Sequence, residues 1–116
     1  MILLFLFLLL LVYASIYQHN HRFYVYTHSI HGTVFYVGKG SRDRAWSISG
    51  RNKLWWYVVN QECPDIGPYH KLYNHYKLKV TIVRKNLLEQ QAYDHERRLI
   101  EEYGIKNLTN LQRGRK

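Results

Sequence analysis

Tyr26 and Tyr36 lie ten residues apart in two short aromatic and β-branched runs, Arg44 follows eight residues later, and Glu96 stands on a helical stretch further on. Together these side chains suit hydrolysis of a phosphodiester with one metal ion. A carboxylate can hold the metal, a guanidinium can steady the phosphate as negative charge grows, and phenols can orient or deprotonate the attacking water. One carboxylate leaves most of the coordination shell to water and phosphate oxygens, which suits Mg2+ or Mn2+. A phenol with a pKa near ~10 needs a neighbouring cation to act as a base at neutral pH, and Lys39, directly after Gly38, is the sequence candidate.

Glu96 is the residue a bland reading explains worst. Leu88, Ala92, Leu99, Ile100 and Tyr103 form an apolar stripe at helical spacing, and at 3.6 residues per turn Glu96 falls inside it. Asp94, Arg97, Arg98 and Glu101 keep to the opposite side. A carboxylate on a buried face is costly unless something positive meets it. The others have ordinary explanations when taken singly: Tyr26 and Tyr36 as core or stacking residues, Arg44 as surface charge.

The elements that must position these groups follow from local signals. Phe23–Thr27 and Thr33–Val37 read as two strands joined by a turn at Ser29–Gly32, an antiparallel hairpin that brings Tyr26 near Tyr36. Gly38-Lys39-Gly40 breaks the second strand, and Ser41 is placed to cap a short helix bearing Arg44. Gly38-Lys39-Gly40-Ser41 is not a phosphate loop, because Gly40 occupies the position where that motif needs a hydroxyl. Asn52 caps a second helix, residues 63–69 form a loop, and the alternation around Leu78–Val83 is a third strand. Asn86 with Glu89 reads as a capping box for the last helix, and Gly104 as its stop.

The formal charge is +9, and no Lys, Arg, Asp or Glu precedes Arg22. A small domain that basic meets a polyanion, with nucleic acid first and an acidic membrane surface second. Eleven tyrosines add faces on which bases can stack. The single cysteine, Cys63, excludes a disulfide framework and a multi-cysteine zinc site. His19-Asn20-His21 is too compact to be the nuclease motif its letters spell. Residues 1–17 are apolar, slightly short of the ~20 a spanning helix needs. Residues 1–20 are therefore set apart as a short anchor, a signal-like leader or a spurious extension, with the folded domain at 21–116. The positive-inside rule gives that basic domain an intracellular, cytoplasmic location.

In this order the residues resemble a known family. Tyr24-Val25-Tyr26 with Tyr36-Val37-Gly38 looks like the paired strands of the GIY-YIG nucleases. Arg44-Ala45-Trp46 is similar to that family's arginine helix, Gln91-Ala92 through Glu96 to Tyr103-Gly104 to its glutamate helix, and Leu108-Thr109-Asn110 to its closing segment. The resemblance covers residues 23–114. It implies a small α+β domain, a three-stranded antiparallel sheet flanked by helices, hydrolysing DNA with a divalent metal. By position it gives Tyr26 and Tyr36 to the water, Arg44 to the phosphate, Glu96 to the metal, Asn110 to buttressing (with Asn107 in competition) and Lys39 to electrostatic help. The chain departs from the pattern at Tyr24, where the family has Gly, and at Ser47-Ile48, where many members carry a His; His70, His75 and His95 are possible substitutes. With only Arg113, Arg115 and Lys116 as a basic tail, the expectation is an endonuclease of homing or structure-selective type with little sequence specificity of its own. The alternatives are a catalytically impaired nucleic-acid-binding module of the same fold and a membrane-anchored basic adaptor. Oligomeric state is left open.

Overall fold

A computed structural model describes residues 2–67 and 71–110. Helix α1 spans Ile2–Asn20, followed by strands β1 (Phe23–Ile30) and β2 (Thr33–Gly40), helix α2 (Lys53–Glu62), strand β3 (Leu78–Leu87) and helix α3 (Glu89–Tyr103). Short 3-10 turns occur at Arg44–Trp46, Pro64–Ile66 and Ile105–Asn107. The three strands form one antiparallel sheet in the order β2-β1-β3, the α+β arrangement the sequence implies.

The hairpin turn is tighter than Ser29–Gly32: His31 and Gly32, at φ 53° and 77°, are its two left-handed residues, the backbone a two-residue hairpin turn requires. β1 therefore runs on to Ile30, and β2 runs to Gly40 instead of breaking at Gly38. Gly38 serves space here. A Cβ at this position would lie 2.3 Å from Tyr26 Cζ, so only glycine lets the Tyr26 ring lie across β2.

Register fixes the two faces of the sheet. Tyr24, Tyr26 and His28 stand opposite Gly40, Gly38 and Tyr36, while Val25 and Thr27 stand opposite Lys39 and Val37. Paired residues share a face and neighbours alternate. The 3-10 turn packs Ala45 against Tyr24 and Tyr26, and α2 supplies Trp55 and Val59 to the adjoining cluster with Ile30, Phe35 and Ile66. α3 covers the other face, where Ala92 and Ile100 pack with Val25, Val37, Leu87 and Leu108.

Asn52 caps α2 by accepting from Trp55 N–H at 2.8 Å, and Gly104, at φ 84°, ends α3. The start of α3 differs from the expected Asn86–Glu89 box. Asn86 sits at φ 60° near the end of β3, where the pairing with β1 shifts register. The cap forms two residues later, with Gln91 Oε1 accepting from Leu88 N–H at 2.9 Å. α1 is longer than the apolar run and has no buried residue; by length and composition it could cross a membrane.

Candidate active site

Tyr26 and Tyr36 rise from the same face with ring centroids 6.1 Å apart. Their surroundings differ. Tyr26 is 1% exposed, and its hydroxyl accepts a 2.7 Å hydrogen bond from Arg51 Nη1. Burial pushes its pKa up to about 12, with the Arg51 charge opposing the rise. It is a neutral phenol at physiological pH. Tyr36 is only half-buried.

Tyr24, which replaces the family's glycine, has a structural use. Its hydroxyl donates to the Arg42 carbonyl at 2.8 Å and accepts from Ala45 N–H at 2.9 Å. Burial raises its pKa as well. This phenol ties β1 to the turn that carries Arg44. The turn is a single 3-10 turn without a side-chain cap; Arg44 N–H bonds to the Ser41 carbonyl rather than the Ser41 hydroxyl capping a helix. Arg44 is half-buried and donates through Nη1 to the Ser49 carbonyl at 2.7 Å. Its charge also acts on Tyr26.

Lys39 is not the cation beside the phenols. Because Gly38 faces Tyr26, Lys39 turns to the opposite face, where it pairs with Glu89 at 3.0 Å on α3 and lies over the Phe23 ring. Arg51 takes the place expected of it. Arg51 is 8% exposed, and its guanidinium carbon lies 5.3–5.7 Å from the ring centroids of Tyr26, Tyr36 and Trp55. Sequence reading missed this residue. Its partner Tyr26 is twenty-five positions away, and the stretch between Gly50 and α2 has no periodicity to give it a direction.

Glu96 is buried on the α3 stripe between Ala92 and Ile100. It is thus carried by the helix that covers the Val25–Val37 face. Asn110 sits at the exposed side of β2: Val37 N–H donates to its Oδ1 at 3.1 Å, and its Nδ2 donates to the Val37 carbonyl at 2.7 Å. Asn107 instead donates to the Tyr103 carbonyl at the end of α3, so Asn110 alone of the two reaches the strand between Tyr36 and Gly38. The structure therefore gathers Tyr26, Tyr36 and Arg44 on one face, puts Lys39 and the Glu96 helix on the other, and sets Asn110 at the β2 edge between them.

The histidines considered for the missing one have surroundings of their own. His75 Nδ1 accepts from the backbone N–H of Lys77 and of Leu78, which shapes the entry to β3. His95 lies over toward β3, where partial burial and the Arg84 and Arg98 charges lower its pKa. His70 falls outside the described residues. His28, unremarked in the sequence, lies on the tyrosine face 5.6 Å from the Tyr36 ring. Trp55 Nε1–H can only donate, so His28 Nδ1 accepts from it at 3.0 Å, and Nε2–H donates to the Ala45 carbonyl at 2.7 Å. Burial, reinforced by the Arg51 charge, lowers its pKa to about 3. Both nitrogens are used and the ring stays neutral, so His28 holds the turn and moves no proton.

Among the described residues no three His, Cys, Asp or Glu side chains gather as a metal cage. Glu96 is the one carboxylate within the buried stripe of α3. A hard cation that keeps its waters and borrows phosphate oxygens is served by one carboxylate, and Glu96 has that donor chemistry.

With this geometry in place, comparison identifies the fold. The family model for a LEM-3-like GIY-YIG domain matches residues 4–116. The chain belongs to the GIY-YIG superfamily of nucleases. No curated protein and no solved structure matches it. Within this GIY-YIG domain the first-strand glycine is replaced by a tyrosine that clamps the arginine turn, and the strand-two glycine is the space into which Tyr26 fits.

Proposed function

We propose that this GIY-YIG domain is a metal-dependent endonuclease acting on DNA, with little sequence specificity of its own. The observation that carries the reading is the family's two phenols on one sheet face with Arg44 held beside them. Tyr36 is the phenol that touches the attacking water, since Tyr26 is sealed from solvent and neutral. Tyr26 positions. Arg44 binds the non-bridging phosphate oxygens through its planar fork, and Asn110 holds the β2 edge straight between Tyr36 and Gly38. Glu96 is the residue that would hold Mg2+ or Mn2+. When bound, such an ion neutralises phosphate charge and stabilises the departing oxygen. The +9 charge supplies sequence-independent attraction to the DNA backbone.

We also propose that α1 associates with a membrane and leaves the nuclease domain on the cytoplasmic side. The support is a nineteen-residue helix, apolar up to its last turn and exposed along its whole length.

Nicking of supercoiled plasmid, with Mg2+ and with chelator, tests the enzymatic reading. Metal-dependent conversion to the open circle is expected. Retained DNA binding without nicking under any divalent ion would instead establish the rival, a binding module that keeps the fold, which the absence of a His after Arg44 favours.

A further inference from the structure

Arg51 is a buried cation whose hydrogen-bond partners among the described residues are all neutral. Nη1 donates to the Tyr26 hydroxyl at 2.7 Å, Nη2 to the Arg44 carbonyl at 2.8 Å and Nε to the Ser47 carbonyl at 2.9 Å. None of the ion pairs among the described residues includes it. Burying a guanidinium without a carboxylate is costly, and three aromatic faces offset only part of that cost. An arginine kept for stability alone is better served by an ion pair or by an apolar replacement.

The three acceptors explain its use. One belongs to β1, one to the turn residue that carries the phosphate-binding side chain, and one to the segment just past that turn. A planar fork that bonds all three fixes the separation between Tyr26 and the Arg44 backbone. Lysine, with one nitrogen on a flexible stem, cannot reach all three. We infer that Arg51 is a positioning residue for the phosphodiester chemistry, acting by holding the Arg44 turn against Tyr26. The inference rests on the endonuclease reading for its chemistry and on the hydrogen bonds above for its geometry.

A double-mutant cycle on the full chain tests it, with wild type, Arg51→Lys, Arg44→Ala and the double variant. Two quantities are measured: single-turnover plasmid nicking with Mg2+, and duplex DNA affinity in chelator at low salt. Thermal melts are run alongside. Misplacing Arg44 by about 1 Å costs on the order of 100-fold in nicking. Arg51→Lys is therefore expected to lower nicking by about that factor, yet to add no more than about twofold once Arg44 is already alanine. Penalties that multiply, whatever the melting temperatures, would show that Arg51 does not work through Arg44 and would overturn the inference. So would an Arg44→Ala protein unchanged in both quantities. If wild type binds DNA but never nicks, the endonuclease reading fails on its own, and the cycle in affinity still decides Arg51: non-additive supports it, additive overturns it. Should Arg51→Lys lack a cooperative melt, Tyr26→Phe removes the Nη1 acceptor from the other end and takes its place in the same cycle.

Discussion

At the β1–β2 hairpin two phenols stand with ring centroids 6.1 Å apart in unlike surroundings, and the proposed division of their work rests on that difference. Tyr36→Phe is expected to lower nicking by about 100-fold, the usual scale for a proton-handling group, with the melting temperature unchanged. Tyr26→Phe strands a buried guanidinium donor and should cost about 1–3 kcal/mol of stability, seen as an earlier urea midpoint. His28 makes a pH-dependent contribution whose sign follows from its depressed pKa of about 3 against an ordinary 6.5. The unfolded chain takes up a proton that the folded ring refuses. Stability is thus full above ~6.5 and falls as the pH drops toward 3, by up to about 1.4 kcal/mol per unit. Urea denaturation at pH 7 and pH 5 should show a larger loss in wild type than in His28→Gln; equal losses would remove His28 from the account. Glu96 was legible because helical spacing alone marks a carboxylate out of place. Arg51 was not, since its meaning depends on contacts no local pattern encodes.

At the scale of elements, Gly38 does not break β2 as its sequence suggests; it makes room for the Tyr26 ring. Gly38→Ala would drive a Cβ into the Tyr26 ring, and because β2 backbone and a sealed ring have little room to yield, a loss of about 1–3 kcal/mol is expected. A melting temperature equal to wild type would show that the ring can move aside. The hairpin, the Asn52 cap and the Gly104 stop were readable because each depends on neighbours in sequence. β3 and the start of α3 were harder: the strand runs to Leu87 only because β1 is there to pair with, and the left-handed Asn86 belongs to that pairing, not to the helix. The side of Lys39 was in principle legible. Once Gly38 is set opposite Tyr26, alternation sends the next residue to the other face. What the sequence lacked was the register itself.

For the whole molecule, charge and apolar surface make separate predictions. With 17 Lys and Arg against 8 Asp and Glu, DNA binding should weaken steeply with salt, and log affinity should fall linearly with log salt concentration. Affinity that ignores salt would exclude the phosphate backbone as the main contact. α1 is nineteen residues long, which at ~1.5 Å per residue is close to the ~30 Å hydrocarbon core of a bilayer. The full chain is expected to float with phosphatidylcholine–phosphatidylglycerol vesicles and to resist extraction at high salt, and Leu8→Arg, placing a charge at mid-helix, should abolish the salt-resistant fraction. A full chain that stays with the soluble fraction would contradict the membrane proposal and leave the nuclease reading intact.

The central claim joins Glu96, on one helix, to phosphodiester hydrolysis. Its most direct test is plasmid nicking with Mg2+ by wild type beside Glu96→Gln, with circular dichroism confirming that both are folded. Metal-dependent nicking by wild type and its loss in folded Glu96→Gln are the predicted results; nicking by Glu96→Gln at the wild-type rate would contradict the account.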